Sequence, residues 1–436
     1  MYDVIVVGGG ISGLYLSYLL TKHTSKKICL LEKTNRLGGL IDTRFFEDKG
    51  KKVKYEAGGA VLYDHQKNMM RLVKELGVDT HTLPFDVNGN YLKELREERR
   101  VQPLSKQENK RYIRLLKKVF AFMNKKPENY CRQYTLEQIC IQVIGFQDTR
   151  FLEYCYGYAG EFRVANAYVA KKNIENEVFH SKNVLFFKKG YEQVIKHLER
   201  HIKDKMAIHL HTQVLSFKHT KKQYIVTTTK GRLLCKHLVF MIPQQALTTI
   251  HDSFTEEELQ LMQAVEPISL CRVFHKYKTN NKWLEDVKYS TVNNALRQII
   301  PANKKHGLLQ ISYSDWFFAD FWGNLNTKQT THLVKRLTKD TYPGKQIPLV
   351  EWSKTHYWKD AIHFWKPKYN EKRIQHQLQE LRKGLYIGGE SFSLNQGWCE
   401  GAIQTSLSIF NKLKKTQNIR GTRNHLTKNK KTRKNK

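Results

Sequence analysis

Residues 1–40 leave the chain little freedom in how it can begin to fold. An apolar run, Tyr2-Asp3-Val4-Ile5-Val6-Val7, leads into Gly8-Gly9-Gly10-Ile11-Ser12-Gly13. A stretch of helical periodicity follows, and a second apolar run, Ile28 to Leu31, ends at Glu32. Strand, glycine turn, helix and strand in that order make a β-α-β unit with Gly8-x-Gly10-x-x-Gly13 at the first turn. Gly8 permits the tight turn, Gly10 lets the backbone approach a pyrophosphate, and Gly13 lets the helix pack close to the strand. The helix N-terminus, with Ser12 in its first turn, offers unpaired N–H groups and a partial positive charge to the phosphates. Glu32 lies 19 positions after Gly13. Its carboxylate is then in reach of a ribose 2′-OH. The pattern predicts a dinucleotide site at the start of an α/β fold.

Two further glycine pairs follow, in Glu32-Lys33-Thr34-Asn35-Arg36-Leu37-Gly38-Gly39 and Tyr55-Glu56-Ala57-Gly58-Gly59-Ala60. They add backbone donors and a fixed cation, Arg36, near the phosphates. Near the other end come Leu385-Tyr386-Ile387-Gly388-Gly389-Glu390 and Gly397-Trp398-Cys399-Glu400-Gly401-Ala402-Ile403. These read as a short strand ending in glycines and a second helix whose N-terminus can stabilise negative charge.

These segments resemble the flavin-containing amine oxidase superfamily, which includes monoamine, polyamine and protoporphyrinogen oxidases. The resemblance covers roughly residues 1–80, 185–245 and 380–413. It implies FAD. It also implies non-covalent attachment, because the segment around Ala361 lacks the cysteine through which monoamine oxidases hold their flavin. The cofactor residues it implies are Gly8, Gly10, Ser12, Gly13, Glu32, Lys33, Arg36, Gly38, Gly39, Gly58, Gly59, Ala60, Val214, Gly389, Glu390, Gly397, Trp398, Ala402 and Ile403. Among them, the backbone of Val214 would meet the adenine, Glu390 the ribityl chain, and the backbone of Ala402 and Ile403 the flavin O2 edge.

The expected fold class is therefore α/β: a Rossmann-like FAD-binding domain of the amine oxidase type with a mixed α+β substrate domain inserted. Residues 1–80, 185–246 and 380–413 are expected in the first domain, and 81–184 and 247–379 in the second. Residues 414–436, rich in charge and poor in apolar side chains, are expected to be a disordered basic tail. Asn68 to Leu76, Glu97 to Met123, Thr135 to Tyr156 and Glu192 to His201 read as helices, with no alternating β pattern between about Thr80 and Phe179. Ala207 to Leu215, Gln223 to Thr229 and Leu233 to Ile242 read as strands, and so do Cys271 to Tyr277 and Leu308 to Tyr313. The aromatics Tyr154, Tyr156, Tyr158, Phe162 and Tyr168 suit a helical core or a pocket wall.

Flavin oxidases of this kind move a hydride equivalent from a C–H bond next to nitrogen onto flavin N5, with O2 as the acceptor. The resemblance places Trp398 at one aromatic wall of the substrate site. The other wall falls within Trp358 to Trp365, with His363, Phe364 and Trp365 as its candidates. Arg272 falls where the family carries a lysine that holds a water near N5. An arginine is forked and always charged, so it is no equivalent. It suits a substrate carboxylate, or else it is a surface arginine of a strand in another register. Three functions fit: oxidation of a small-molecule amine, oxidation of an anionic or porphyrin-like substrate, and a basic flavoprotein with a structural or nucleic-acid-associated role. The last resembles proteins of large DNA viruses, with packaging in the virion.

Charge bears on the partners. The chain carries 75 basic and 40 acidic residues, a net charge of +35. Residues 412–436 contribute 11 basic and no acidic side chains, so most of the excess lies elsewhere. A basic surface suits nucleic acid, acidic proteins or anionic membranes, and equally a merely solvated Lys- and Asn-rich exterior. It repels a cationic polyamine unless the mouth of the site is locally acidic. Seven cysteines with no C-x-x-C speak against zinc or a disulfide framework and for free thiols in a reducing compartment, cytoplasm or nucleus. No metal site is predicted. The first strand starts at Tyr2, which leaves no room for a signal peptide, and the glycines of Val4 to Leu20 argue against a membrane span.

Overall fold

The computed structural model describes residues 1–84, 92–95, 100–103 and 105–414. The chain divides into two compact units. The first comprises Met1–Gly39, Ile195–Leu261 and the chain from Lys372 onward; the second comprises Leu40–Val194 and Met262–Glu371. Residues 40–80 and 185–194, expected in the nucleotide domain, thus group with the second unit. The expected tail beyond Lys414 lies outside the described residues.

In the first unit, Tyr2–Val7 is flanked in parallel by Ile28–Leu31 and Gly231–Phe240. Ala207–His209 continues the parallel sheet beyond Ile28–Leu31, and Leu385–Ile387 pairs with Gly231–Phe240. A parallel sheet is covered on both faces, so its strands read as unbroken apolar runs rather than alternating ones. Val4, Ile5, Val6, Leu30, Leu238, Val239 and Phe240 have no exposed surface. The helix Ile11–His23 is buried from Ile11 to Leu20, which is why it shows no polar stripe.

The segment expected as one strand over Ala207 to Leu215 is two. Ala207–His209 is parallel to Ile28–Leu31, whereas Val214–His219 is antiparallel to Tyr224–Thr228. Between them His211 takes a left-handed φ of 51°. The His211 and Thr212 N–H groups donate to the carbonyls of Thr34 (2.9 Å) and Glu32 (2.8 Å). The period-two alternation persists on both sides of this turn and therefore hides it.

The second unit is built on a five-stranded antiparallel sheet in the order Ser290–Thr291, Gln298–Asn303, Leu308–Asp315, Val265–Tyr277, Val350–Trp365. Helices Lys106–Asn124, Leu136–Tyr156 and Ala167–Glu175 form a core with Phe120, Ile139, Leu152, Phe162 and Ile174, joined by Ile268 and Phe364 of the sheet. Tyr156 and Phe162 belong to that core, and Tyr158 and Tyr168 pack against it. The first helix starts at a Ser105/Glu108 capping box, not near Glu97. Arg100–Pro103 is instead a strand paired with Leu92–Leu95. Thr80–Pro84 and Val61–Tyr63 both pair with Asn183–Phe187. The expectation of a strand-free region is thus corrected: these strands are short, and Leu92–Leu95 carries Lys93 and Glu94 in its middle.

Two polar clusters are enclosed in this unit. Arg132, 4% exposed, donates from Nε and Nη2 to the two oxygens of Glu371 at 2.9 and 2.8 Å, and from Nη2 to Glu128 at 2.8 Å. Elsewhere the Tyr156 hydroxyl meets Glu161 and, at 3.0 Å, Oε2 of Glu177. Asn173 Nδ2 donates to Glu161 at 3.0 Å. One phenolic proton cannot serve two carboxylates, so one carboxyl of the pair must hold a proton. Burial pushes the Glu161 carboxyl from its ordinary 4.5 up to about 7, against the Tyr156 and Asn173 bonds and with help from Asp315. Between those values the folded chain binds more protons than the unfolded one. Stability should therefore fall as pH rises from about 4.5 to about 7. Glu161→Gln should flatten that part of the profile in urea unfolding series; a slope identical to wild type would show that the proton is not held there.

Candidate functional site

The first unit carries a cradle built from its glycines. Gly8 adopts φ 109°, and its N–H donates to Leu31 O at 2.8 Å. That turn aims the chain into the helix whose N-cap is Gly10. No side chain caps this helix and its first turn holds no acid, so its N–H groups and dipole remain for an anion. A Cβ on Gly10 would meet nothing within 4 Å, so open space lies over the helix start. A Cβ on Gly13 would lie 1.9 Å from Gly8 O, which is why helix and strand can touch only through glycine there.

The loop after the second strand folds back onto this turn. Gly38 N–H donates to Gly9 O at 2.8 Å, and Gly39, with φ 57°, approaches Gly10. Glu32 Oε2 accepts from Gly9 N–H at 2.7 Å, and Oε1 accepts from the backbone and hydroxyl of Thr34, both at 2.8 Å. The carboxylate is thus oriented, with lone pairs left over for a ribose hydroxyl. Arg36 bends onto the carbonyls of Leu37 (3.3 Å) and Gly39 (2.5 Å), while Lys33 is exposed. The turn at His211 and Thr212 brings Val214, 7% exposed, to the Glu32 side of the sheet.

The third part of the cradle follows Leu385–Ile387. Gly389 has φ 100°, and its N–H donates to Thr405 Oγ1 at 3.0 Å. Its amide is therefore engaged within the fold, and its role is to make the turn. Glu390 Oε1 accepts from Gly397 N–H at 2.6 Å and closes the loop that carries Trp398. The helix over 399–414 buries the side chains of Ala402 and Ile403. Ser406 Oγ donates to the carbonyl of Ser12 at 2.9 Å, which ties the two cradle helices together. Gly9, Thr34, Thr405 and Ser406 were not singled out from the sequence. The run of three glycines is a signal for the first, whereas the others are bonded through local geometry that no motif displays.

The second unit holds the remaining predicted residues. A Cβ on Gly58 would lie 1.7 Å from Leu40 O, and Gly59 N–H donates to that same carbonyl at 3.0 Å. Ala60 follows, half-buried. Trp358 Nε1 donates to Ala57 O at 2.8 Å, with its ring edge at Gly58. Trp365 is fully enclosed and Phe364 is part of the helical core. Within the aromatic run it is therefore Trp358, and not Trp365, that stands at the predicted glycine pair. Arg272 is 8% exposed on the second strand from the sheet's edge, so it is no surface arginine. Among the described residues no group of three His, Cys, Asp or Glu is placed to hold a metal, and no helix is long and apolar enough to cross a membrane.

Comparison with known proteins decides what the cradle is for. The profile of the family described as flavin containing amine oxidoreductase matches residues 11–408. The chain belongs to this family. Its cofactor is FAD, and the open space at Gly10, the uncapped helix and the oriented Glu32 fit that dinucleotide. The flavoprotein is 42% identical over 82 residues to flavin-containing amine oxidase A of Equus caballus, and 40% identical over 80 residues to flavin-containing amine oxidase B of Homo sapiens. These stretches span 19% and 18% of this chain and only 15% and 14% of those relatives. Over 94% of its length it superposes on 98% of a redesigned putrescine oxidase, at a TM-score of 0.76 and 16% identity. It does so equally on a provisionally assigned protoporphyrinogen oxidase from Exiguobacterium sp. 255-15, at 0.70 and 14%. At that identity the likeness is one of fold.

Proposed function

We propose that the flavoprotein oxidises an amine at the C–H bond next to nitrogen and passes the electrons to O2. The family match over residues 11–408 carries this reading. The balance is R–CH2–NH2 + O2 → R–CH=NH + H2O2: the C–H bond and one N–H bond are lost, and O2 is reduced by two electrons and two protons. Bound FAD supplies the intermediate two-electron acceptor. The chain's own contribution is placement. Glu32 would hold the adenosine ribose, the Ile11–His23 helix and Arg36 the diphosphate, and Glu390 the loop that presents Trp398.

The test is spectroscopic. Purified protein should show bands at about 370 and 450 nm, a property of the flavin itself. An amine substrate added without oxygen should bleach the second band, and air should restore it with release of peroxide. Denaturation followed by filtration should carry the flavin into the filtrate, because attachment is non-covalent. A protein whose flavin is reduced by dithionite and by no amine would refute the reading. Flavin retained on the denatured chain would refute the non-covalent part.

A further inference from the structure

Arg272 lies in register with Tyr313 on one neighbouring strand and with His356 on the other. Gln298 continues the row beyond Tyr313, and Thr291 beyond Gln298. Directly opposed residues of antiparallel strands present side chains to the same face, so one face of the sheet carries all five. The Arg272 guanidinium donates from Nη1 to Gln310 Oε1 at 3.0 Å and stacks on the Tyr313 ring at 4.4 Å. Among the described residues it has no ion-pair partner.

The groups whose charge reaches it do not change this. Glu56 already accepts from Thr43 Oγ1 at 2.8 Å and from Tyr191 N–H at 3.1 Å, and burial raises its carboxyl above the ordinary range. His356, bonded through Nε2 to the Tyr55 hydroxyl at 3.1 Å, is pushed down to about 4 by burial and is uncharged at neutral pH. A buried guanidinium held by one neutral amide is an incomplete arrangement, because such a charge is stabilised by a matching anion. Among the described residues its Nε and Nη2 have no hydrogen-bond partner, and they are not wholly sealed from solvent, so that edge of the fork is left for a ligand. Two parallel donors at one edge match the two oxygens of a carboxylate.

The surroundings of that edge are flat and aromatic. Tyr158 meets the Tyr313 ring edge-on at 5.7 Å. Tyr289 donates to Gln298 Oε1 at 3.0 Å. Its ring keeps 41% of its surface and stays accessible to a ligand. A buried guanidinium with no ion pair repels a simple diamine or polyamine, whose charges are all positive.

We propose that Arg272 receives a carboxylate of the substrate, so that the substrate is an amine that also carries a carboxylate, with a flat or apolar remainder against Tyr158, Tyr289 and Tyr313. The amine half rests on the function proposed above; the carboxylate half stands on Arg272 alone.

Two measurements separate the halves. In the first, the holoprotein is titrated calorimetrically with benzoate, which has no amine to oxidise. Binding is expected, weakened at least about tenfold in Arg272→Gln and partly restored in Arg272→Lys. In the second, the wild-type holoprotein is mixed anaerobically with phenylalanine and, separately, with 2-phenylethylamine, which differ by the carboxylate. The amino acid should reduce the flavin with kcat/KM at least about tenfold higher, and Arg272→Gln should cut that ratio by at least about tenfold. Benzoate that fails to bind the wild type, binds wild type and Arg272→Gln alike, or an amine that outruns its amino acid would overturn the proposal. If benzoate binds through Arg272 and no amine, with or without a carboxylate, reduces the flavin, the carboxylate site stands and the amine-oxidising function falls. The wild-type comparison needs no variant to fold.

Discussion

Gly10→Ala should give a folded protein that has lost its flavin, whereas Gly13→Ala should give a protein whose first unit does not fold. The two glycines lie three residues apart in one motif, and their surroundings separate them. Gly10 has φ −72° and ψ 179°, a conformation open to any residue. A Cβ there touches nothing within 4 Å. The cost to the fold is that of an altered N-cap, up to about 1 kcal/mol. The methyl group instead occupies the space through which a diphosphate reaches the helix N–H groups, and FAD affinity should fall on the order of 100-fold. At Gly13 the methyl group would stand 1.9 Å from Gly8 O, a backbone atom that cannot rotate away. The helix would have to leave the strand, at a cost of about 3 kcal/mol or more. The ratio of flavin to protein absorbance, read beside the thermal melting curve, distinguishes the two. A Gly10→Ala protein with full flavin content would mean that the diphosphate does not cross the helix start.

The second large effect is expected at Arg132. Arg132→Met should destabilise the second unit by about 3–5 kcal/mol, because Glu371, 1% exposed, would keep its charge without a partner. The double variant Arg132→Met with Glu371→Leu should recover most of the loss, since two apolar groups leave nothing uncompensated. Glu128, the outer partner, has a side chain 53% exposed and should matter far less. Six of the seven tryptophans belong to the second unit, so tryptophan fluorescence in urea reads that unit. A single substitution costing under about 1 kcal/mol would show that the pair is more hydrated than its burial implies.

What could be read from the sequence was whatever nearby residues determine. The glycine turn, the strand and helix around it and Glu32 lie within one β-α-β unit, and each residue's task follows from its neighbours. The helix read over Thr135 to Tyr156 was legible for the same reason, except for its break at Gly145, where φ is 80°. Three things were not. The break at His211 is set by the carbonyls of Glu32 and Thr34, nearly 180 positions earlier in the chain. The Arg132–Glu371 pair spans 239 positions, and nothing local marks either residue. The burial of Arg272 depends on a row of side chains drawn from neighbouring strands, and a single strand shows only that an arginine is present.

The strand order of the first unit has a consequence for how the protein is made. Tyr2–Val7 is made before the rest of its sheet, and its permanent neighbour Gly231–Phe240 emerges more than two hundred residues later. Leu385–Ile387, which pairs with Gly231–Phe240, comes later still. Until then a largely apolar strand has one edge without its mate, and pairings this distant form slowly. Holding factors that shield nascent chains should therefore associate with this protein until those later strands are made. Cofactor loading has to wait for that segment too, because the Gly389 turn that follows it is part of the cradle.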